Sequence, residues 1–211
     1  MKFSEAMRWR YATKKFDPQK LVDQALVDEL LDIANLTPTS YGLQPFKLIV
    51  LKNQEIQNKL VASSYGQRQV ADASHVLVIA ARTDVDANYI RDYVAMVESQ
   101  RNLEAGTMND YCQVMIGSMT RLSPESLSDW AAKQAYIALG TVMAACATLQ
   151  IDACPMEGFI PQEYNQILSL EQYQLDAVLV VPIGYRAKDD ATQHNPKVRR
   201  PIEDMVIQIY Q

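Results

Sequence analysis

Apolar positions along this chain change their spacing several times, and each change predicts an element. From Asp23 to Leu36 the residues Leu26, Leu30, Ile33 and Ala34 recur at helical spacing, with Asp23 as N-cap and Pro38 as the stop. The loop "TPTSYGLQP" (37–45) follows, dense in turn formers. "FKLIVLK" (46–52) alternates near its ends and is continuously apolar in its centre, as a strand is. "HVLVIAART" (75–83) and "LDAVLVVPIGY" (175–185) are further strand runs, the first continuous enough to lie centrally in a sheet.

Between these two runs the pattern is mostly helical. "YIRDYVAMVESQRNLEAGTMNDYCQVMIGSM" (89–119) is polar with scattered aromatics and methionines. "SPESLSDWAAKQAYIALGTVMAACATLQ" (123–150) opens on serine and proline caps and becomes apolar on nearly every face. Such a helix must be the spine of the fold or of an oligomer interface. "IPQEYNQILSL" (160–170) predicts a short helix with Pro161 near N1. After Tyr185 the chain turns polar and basic, "RAKDDATQHNPKVRRP", and then reaches "MVIQIY" (205–210), β-branched and with no obvious partner strand. Scattered strands flanked by helices favour α+β over a βαβ repeat. With no repeat, low-complexity tract or linker, one domain over 1–211 is expected.

Composition narrows the function classes. The 211 residues are 48% hydrophobic and 21% charged, which is ordinary for a soluble globular chain. A formal charge of -5 argues against broad nucleic-acid binding. The N-terminal "MKFSEAMRWRYATKKFD" lacks the apolar core of a signal peptide. The longest apolar-and-small run, Ala135 to Ala147, falls short of the roughly 20 residues that a membrane span needs. Cys112, Cys146 and Cys154 form no CxxC pair, and only His75 and His194 are available as histidine ligands. A reducing cytoplasm is the expected location, with no membrane and no nucleic-acid partner.

Motifs for Rossmann, P-loop, serine-hydrolase and zincin chemistry are all absent. What remains is a split basic set: Arg10 and Lys14 near the start, Lys197, Arg199 and Arg200 near the end. Arg10 and Lys14 share a face if their stretch is helical, and Lys197 and Arg199 lie on one side if theirs is extended. Converging, the two pairs would suit a phosphate monoester; solvated surface charge is the simpler reading of each. His75 reads as a capping or core histidine, Cys154 as an inert core thiol and Trp130 as core. Glu157, isolated in "ACPMEGF", is either a catalytic acid, a buried structural group or an exposed loop residue.

Taken together, "RWRYATKKFD", "TPTSYGLQPFKLIV", "ADASHVLVIAART", "WAAKQAYIALGTVMAACATLQIDACPMEGF" and "NPKVRRP" resemble, in order and spacing, the oxygen-insensitive nitroreductases. These are FMN-dependent NAD(P)H oxidoreductases of the flavin-reductase/dihydropteridine-reductase type. The resemblance runs almost end to end and is weakest over about 86–122. It implies a central, mostly antiparallel sheet flanked by helices, in an intertwined homodimer with two FMN sites at the subunit interface. The apolar helix 128–149 would be the dimer core, and "MVIQIY" an arm adding a strand to the partner's sheet.

Residue by residue, Arg10, Lys197 and Arg199 match positions that bind the FMN phosphate, with Tyr11 and Ala12 beside them. Lys14 matches the lysine at the pyrimidine edge, where a fixed cation stabilises charge that develops on hydride addition. Pro38, Thr39, Ser40 and Gly42 match a loop contributed by the partner subunit. Pro155, Met156, Glu157 and Gly158 match the segment whose main chain passes the flavin N5 side. There Glu157 shapes the site or its mouth rather than donating a proton. Gln67 and Gln69 are the amides available for further flavin contacts. Gly42 and Gly66 stand where asparagine is common in the family, Gln69 where lysine is, and Ala12 where serine is frequent. Loss of a cation at Gln69 implies a lower flavin potential. The implied activity is ping-pong reduction of nitroaromatics, quinones or related electron-poor small molecules. A specialised member (flavin-fragmenting, dehalogenating or azoline-oxidising) and a non-catalytic flavin-binding protein are the alternatives.

Overall fold

A computed structural model of the protein describes residues 2–210. In chain order the first elements are α1 (Phe3–Trp9), α2 (Gln24–Asn35), β1 (Phe46–Leu51), α3 (Gln54–Leu60), α4 (Gln69–Asp72) and β2 (His75–Arg82). Then come α5 (Ala87–Gln100), α6 (Asn109–Thr120), α7 (Pro124–Thr148), β3 (Asp152–Ala153), α8 (Pro161–Leu168), β4 (Leu175–Gly184) and α9 (Ile202–Met205). The sheet is antiparallel throughout, in the order β1-β2-β4-β3.

Strand β2 is buried along nearly its whole length, and its alternation divides the core. Leu77 and Ile79 face a cluster built with Val27 and Leu30 of α2 and Ala135, Ala138 and Val142 of α7. Val76, Val78 and Ala80 face the opposite cluster, with Leu60 of α3 and Tyr164 of α8. Both faces of the sheet are therefore covered by helices. Partner strand β4 keeps this arrangement through one irregularity. Ile79 pairs with Leu179 but Ala80 with Ala177, so Val178 is an extra residue that switches the facing of those before it. A third cluster joins Leu43 to Ile90 and Val94 of α5 and Cys112, Met115 and Met119 of α6.

Local signals account for the helix ends. Asp23 accepts the Ala25 amide at 3.0 Å, Ser123 accepts the Ser126 amide at 3.2 Å, and Pro124 and Pro161 open α7 and α8. The helical stretch 89–119 is not continuous: α5 and α6 are separated at 101–108. Glu98, buried, closes that turn by accepting the Gly106 and Met108 amides at 3.0 and 2.7 Å. Helix α7 lays one side on the sheet, yet leaves Tyr136 and Ile137 exposed by 43% and 44%. The expectation of a helix buried on most sides is thus corrected for the single chain. The C-terminal segment also departs from its pattern, since Met205 closes the short α9 and 206–210 pair with no strand.

Candidate functional site

Helix α1 stops at Trp9, and the chain beyond it runs extended, with Arg10 at φ −66° and ψ 146°. Ala12 bridges Ala153 in parallel, and Phe16 bridges Arg186. Arg10 and Lys14 therefore do not share a helix face. Backbone groups of this segment are taken up by pairing at the β3 end of the sheet, which the sequence around them does not reveal.

Two acids fix this segment in place. Asp152 on β3, buried, accepts three bonds from Arg186: the backbone amide at 2.8 Å, Nε at 2.8 Å and Nη2 at 2.5 Å. The Arg186 guanidinium lies 4.4 Å from the Trp9 ring centroid and 4.5 Å from that of Tyr11, so both rings are stacked on a fixed cation. Asp190, also buried, accepts the Tyr11 hydroxyl at 2.8 Å and the Lys14 and Lys15 amides at 3.0 and 3.3 Å. Its other oxygen accepts the Thr192 amide at 3.0 Å and the Thr192 hydroxyl. Burial alone would raise this carboxyl, but donation from Thr192, Tyr11 and Lys14 outweighs it and brings the pKa down to about 2. The Tyr11 phenol moves up, through burial and then its bond to Asp190.

Over this framework opens a cavity of about 380 Å³, walled on one side by Arg8 to Ala12 and on the other by Thr192, Gln193 and Asn195 to Arg199. Arg10, Lys197 and Arg199 line it together. Among the described residues none of the three has a carboxylate within ion-pair distance. Nε of Arg10 is buried with no hydrogen-bond partner. Burial and the nearby Arg199 push the Arg10 guanidinium below its ordinary value, and burial with Arg10 and Arg199 does the same to Lys197. Positive charge concentrated here without a counter-ion among the described residues, together with an unspent buried donor, favours an anion electrostatically.

Next to it runs the 154–158 segment, tied to β4 by Cys154 N to Pro182 O (3.0 Å) and Met156 N to Val180 O (2.8 Å). Lys14, whose neighbour Lys15 pairs with Asp189, has no such acid among the described residues; its Nζ lies 3.9 Å from Cys154 Sγ. The thiol is buried and shifted up by that burial, against the opposing pull of Lys14 and Arg10. Gln67 donates its side-chain amide to the Gly158 carbonyl at 2.8 Å, and a Cβ at Gly158 would sit 3.0 Å from that nitrogen. Gln69 is buried on α4. Glu157 is exposed and accepts the Tyr136 hydroxyl of α7 at 2.7 Å, a bond that raises the phenol to about 12.

The remaining predicted residues lie elsewhere. Ser40 donates its amide to Gln134 Oε1 of α7 at 2.9 Å, and Thr39 Oγ1 accepts the Gln44 amide at 3.0 Å. Tyr41 and Gly42 take φ +59° and +75°. A Cβ at Gly42 would lie 2.2 Å from the Tyr93 hydroxyl, so this positive-φ position takes glycine here for space as well as for backbone freedom. Gln134 and Tyr136 are two positions apart, about 200° around the helix. The 38–42 loop and the 154–158 segment are consequently held on opposite sides of α7.

A family model described as "Nitroreductase family" matches residues 7–185. The chain belongs to the nitroreductase family. Among its relatives is a Bacillus subtilis (strain 168) protein named "Putative NAD(P)H nitroreductase YfkO", 36% identical over 96% of this chain and 95% of that one. A Staphylococcus saprophyticus relative, "Putative NAD(P)H nitroreductase SSP0379", is 34% identical over 96% of this chain and 94% of its own. Of solved structures, a nitroreductase family protein from Streptococcus pneumoniae superposes with a TM-score of 0.84 at 25% identity, covering 99% of this chain and all of that one. An Exiguobacterium sibiricum structure, "putative nitroreductase in complex with FMN", superposes at 0.85 with 18% identity, over 99% of this chain and 98% of its own.

This nitroreductase-family fold gathers Arg10, Tyr11, Ala12, Lys197 and Arg199 around one cavity and sets Lys14 and Pro155 to Gly158 beside it. It leaves Pro38, Thr39, Ser40 and Gly42 across α7. Sequence reasoning passed over Asp152, Arg186 and Asp190, whose partners lie up to 179 positions away. It also missed Tyr136, which reads as one more apolar position of α7. The signal that could have found Asp190 is an acid pair, Asp189–Asp190, inside an otherwise basic tail.

Proposed function

We propose that this chain is an FMN-dependent NAD(P)H oxidoreductase reducing nitroaromatics, quinones and related electron-poor small molecules by a ping-pong mechanism. The observation that carries the reading is the cation cavity, with its buried, unpartnered Arg10 Nε. A phosphate monoester supplies the two negative charges and forked acceptor geometry that this donor set lacks. Arg10, Lys197 and Arg199 would hold the FMN phosphate. Held there, FMN would supply the hydride relay between NAD(P)H and an acceptor taken at the same place. Lys14, paired with no acid among the described residues, would hold a positive charge beside Cys154 for the negative charge that flavin reduction creates. Gln67 fixes the carbonyl of Gly158 and so the course of the 155–158 main chain.

The reading includes a homodimer. Three features support it: the two residue sets on opposite sides of α7, the exposed Tyr136 and Ile137, and an exposed apolar tail of Ile202, Val206, Ile207, Ile209 and Tyr210. β1 is an edge strand, while β3 is flanked by the Ala12 bridge. The partner's tail would add at β1, where Leu31, Phe46, Leu48 and Met96 line a groove of about 650 Å³. Tyr111 of α6, edge-on to Tyr41 at 6.3 Å, would be the aromatic offered to the acceptor. No described helix is long and apolar enough to cross a membrane; the cytoplasm is the proposed location.

Purified protein is expected to be yellow, with bound-flavin absorbance that NAD(P)H bleaches and menadione or a nitrofuran restores. A colourless protein that cannot be reconstituted with FMN would sink the reading. Glu157→Gln tests the acid role directly. Its carboxylate is exposed and bonded to Tyr136, so the variant is expected to keep FMN and lose less than about tenfold in turnover. Removing a true general acid costs roughly a hundredfold or more. A loss of that size, with FMN still bound, would make Glu157 the proton donor.

A further inference from the structure

The two walls of the cation cavity repel one another. Arg10 stands on one and Lys197 and Arg199 on the other, with no acid between them within ion-pair distance among the described residues. Something must hold the walls at a fixed separation before a ligand arrives. Lys197 Nζ donates to the Arg10 carbonyl across the gap at an exposed position, and one buried side chain accepts hydrogen bonds from both sides. Asp190 Oδ2 accepts Tyr11 Oη from the N-terminal wall and the Lys14 and Lys15 amides just beyond it. Its Oδ1 accepts the amide and hydroxyl of Thr192, opening the turn Ala191–His194 that leads to Lys197. Tyr11 is held a second time through its ring, stacked on Arg186, which is itself fixed by Asp152.

We propose that Asp190 is a positioning residue for the anion site, a buried carboxylate clamp that sets the spacing between Arg10 and the Lys197–Arg199 wall. The proposal rests on the FMN reading above. It runs against the simplest electrostatic expectation, because a buried negative charge beside an anion site should by itself weaken anion binding. Removing it therefore separates two accounts by sign. As a counter-charge, Asp190 opposes the phosphate, and its neutralisation tightens binding. As a clamp, its neutralisation loosens binding, selectively for ligands that reach the cavity.

The test uses the full chain stripped of flavin and titrated with FMN and with riboflavin, which lacks the phosphate. Asp190→Asn keeps the shape but can accept through one oxygen only, turning an NH₂ toward donors on one wall. FMN affinity is expected to fall about tenfold or more while riboflavin affinity changes by less than about threefold, so the preference for FMN shrinks. Equal weakening of both ligands, or tighter FMN binding, overturns the clamp. If circular dichroism shows that Asp190→Asn does not fold, Tyr11→Phe gives the same readout. It removes one donor and keeps the ring on Arg186, and a fall in preference of about threefold is expected. An unchanged preference in that variant overturns the proposal. A parent protein that binds FMN no better than riboflavin removes the cofactor reading and the clamp with it; a parent that prefers FMN and a folded variant that prefers it equally removes the clamp alone.

Discussion

Arg10→Gln is expected to cut FMN affinity about a hundredfold while leaving the fold intact. The guanidinium is half-buried at the cavity, and its Nε is a buried donor with no partner among the described residues. Bonds between a charged donor and a phosphate contribute about 1.5–3 kcal/mol each, and every 1.4 kcal/mol is about a factor of ten. Burial and then repulsion from Arg199 depress the Arg10 pKa, so loss of the charge should leave the free protein no less stable than its parent. The variant then separates binding from folding: an unchanged melting temperature with weakened FMN titration. Arg199 is exposed and its Nη1 lies 2.6 Å from the neighbouring Val198 carbonyl, so Arg199→Gln should cost less, about tenfold. Unchanged FMN affinity in both variants would show that the phosphate lies elsewhere.

Removal of the chain after Arg200 is expected to have the second large effect. The deletion keeps Lys197 and Arg199 and takes away the exposed Ile202, Met205, Val206, Ile207, Ile209 and Tyr210. Burying such side chains contributes about 1.5–3 kcal/mol each, or on the order of 10 kcal/mol for the segment. Ordering the tail costs about 1–2 kcal/mol per residue, a sum of similar size, so the proposed arm would add to a larger interface rather than hold the dimer by itself. Light scattering should report a dimer for the full chain and a shift toward monomer for the truncated one. Flavin content should fall with it, since on the proposed dimer reading the 38–42 loop would complete the flavin site from a second copy. A truncated chain that stays dimeric and flavin-loaded would refute the arm.

What the sequence disclosed follows how local each determinant is. α2 was legible to within a residue or two at each end, because a 3.6-residue apolar repeat and an aspartate cap act within one helix. β1, β2 and β4 were legible as apolar runs. β3 was not, since two residues make a strand only by pairing with Ile183 and Gly184. The Arg10–Lys14 segment reads equally well as helix or strand, and distant partners decide in favour of extension. Residues around the cation cavity were legible from family resemblance. The acids that place them were not, because a carboxylate bonding to amides 175 positions away leaves no spacing pattern. α6 carried the weakest resemblance, and the packing of its Tyr111 on Tyr41 leaves no spacing pattern in the sequence.

The three cysteines fall one to each apolar cluster: Cys146 with α2, α7 and the sheet, Cys154 on the opposite sheet face, and Cys112 between α5 and α6. All three are free and buried, and burial raises the Cys146 thiol to about 12. Each thiol is therefore silent toward alkylating reagents until its own cluster opens. The native chain carries three internal clocks, one per cluster, and timed alkylation read by peptide mass would give the order in which the clusters come apart. Cys154 should slow further when FMN fills the neighbouring site, making its alkylation rate a measure of occupancy that needs no turnover.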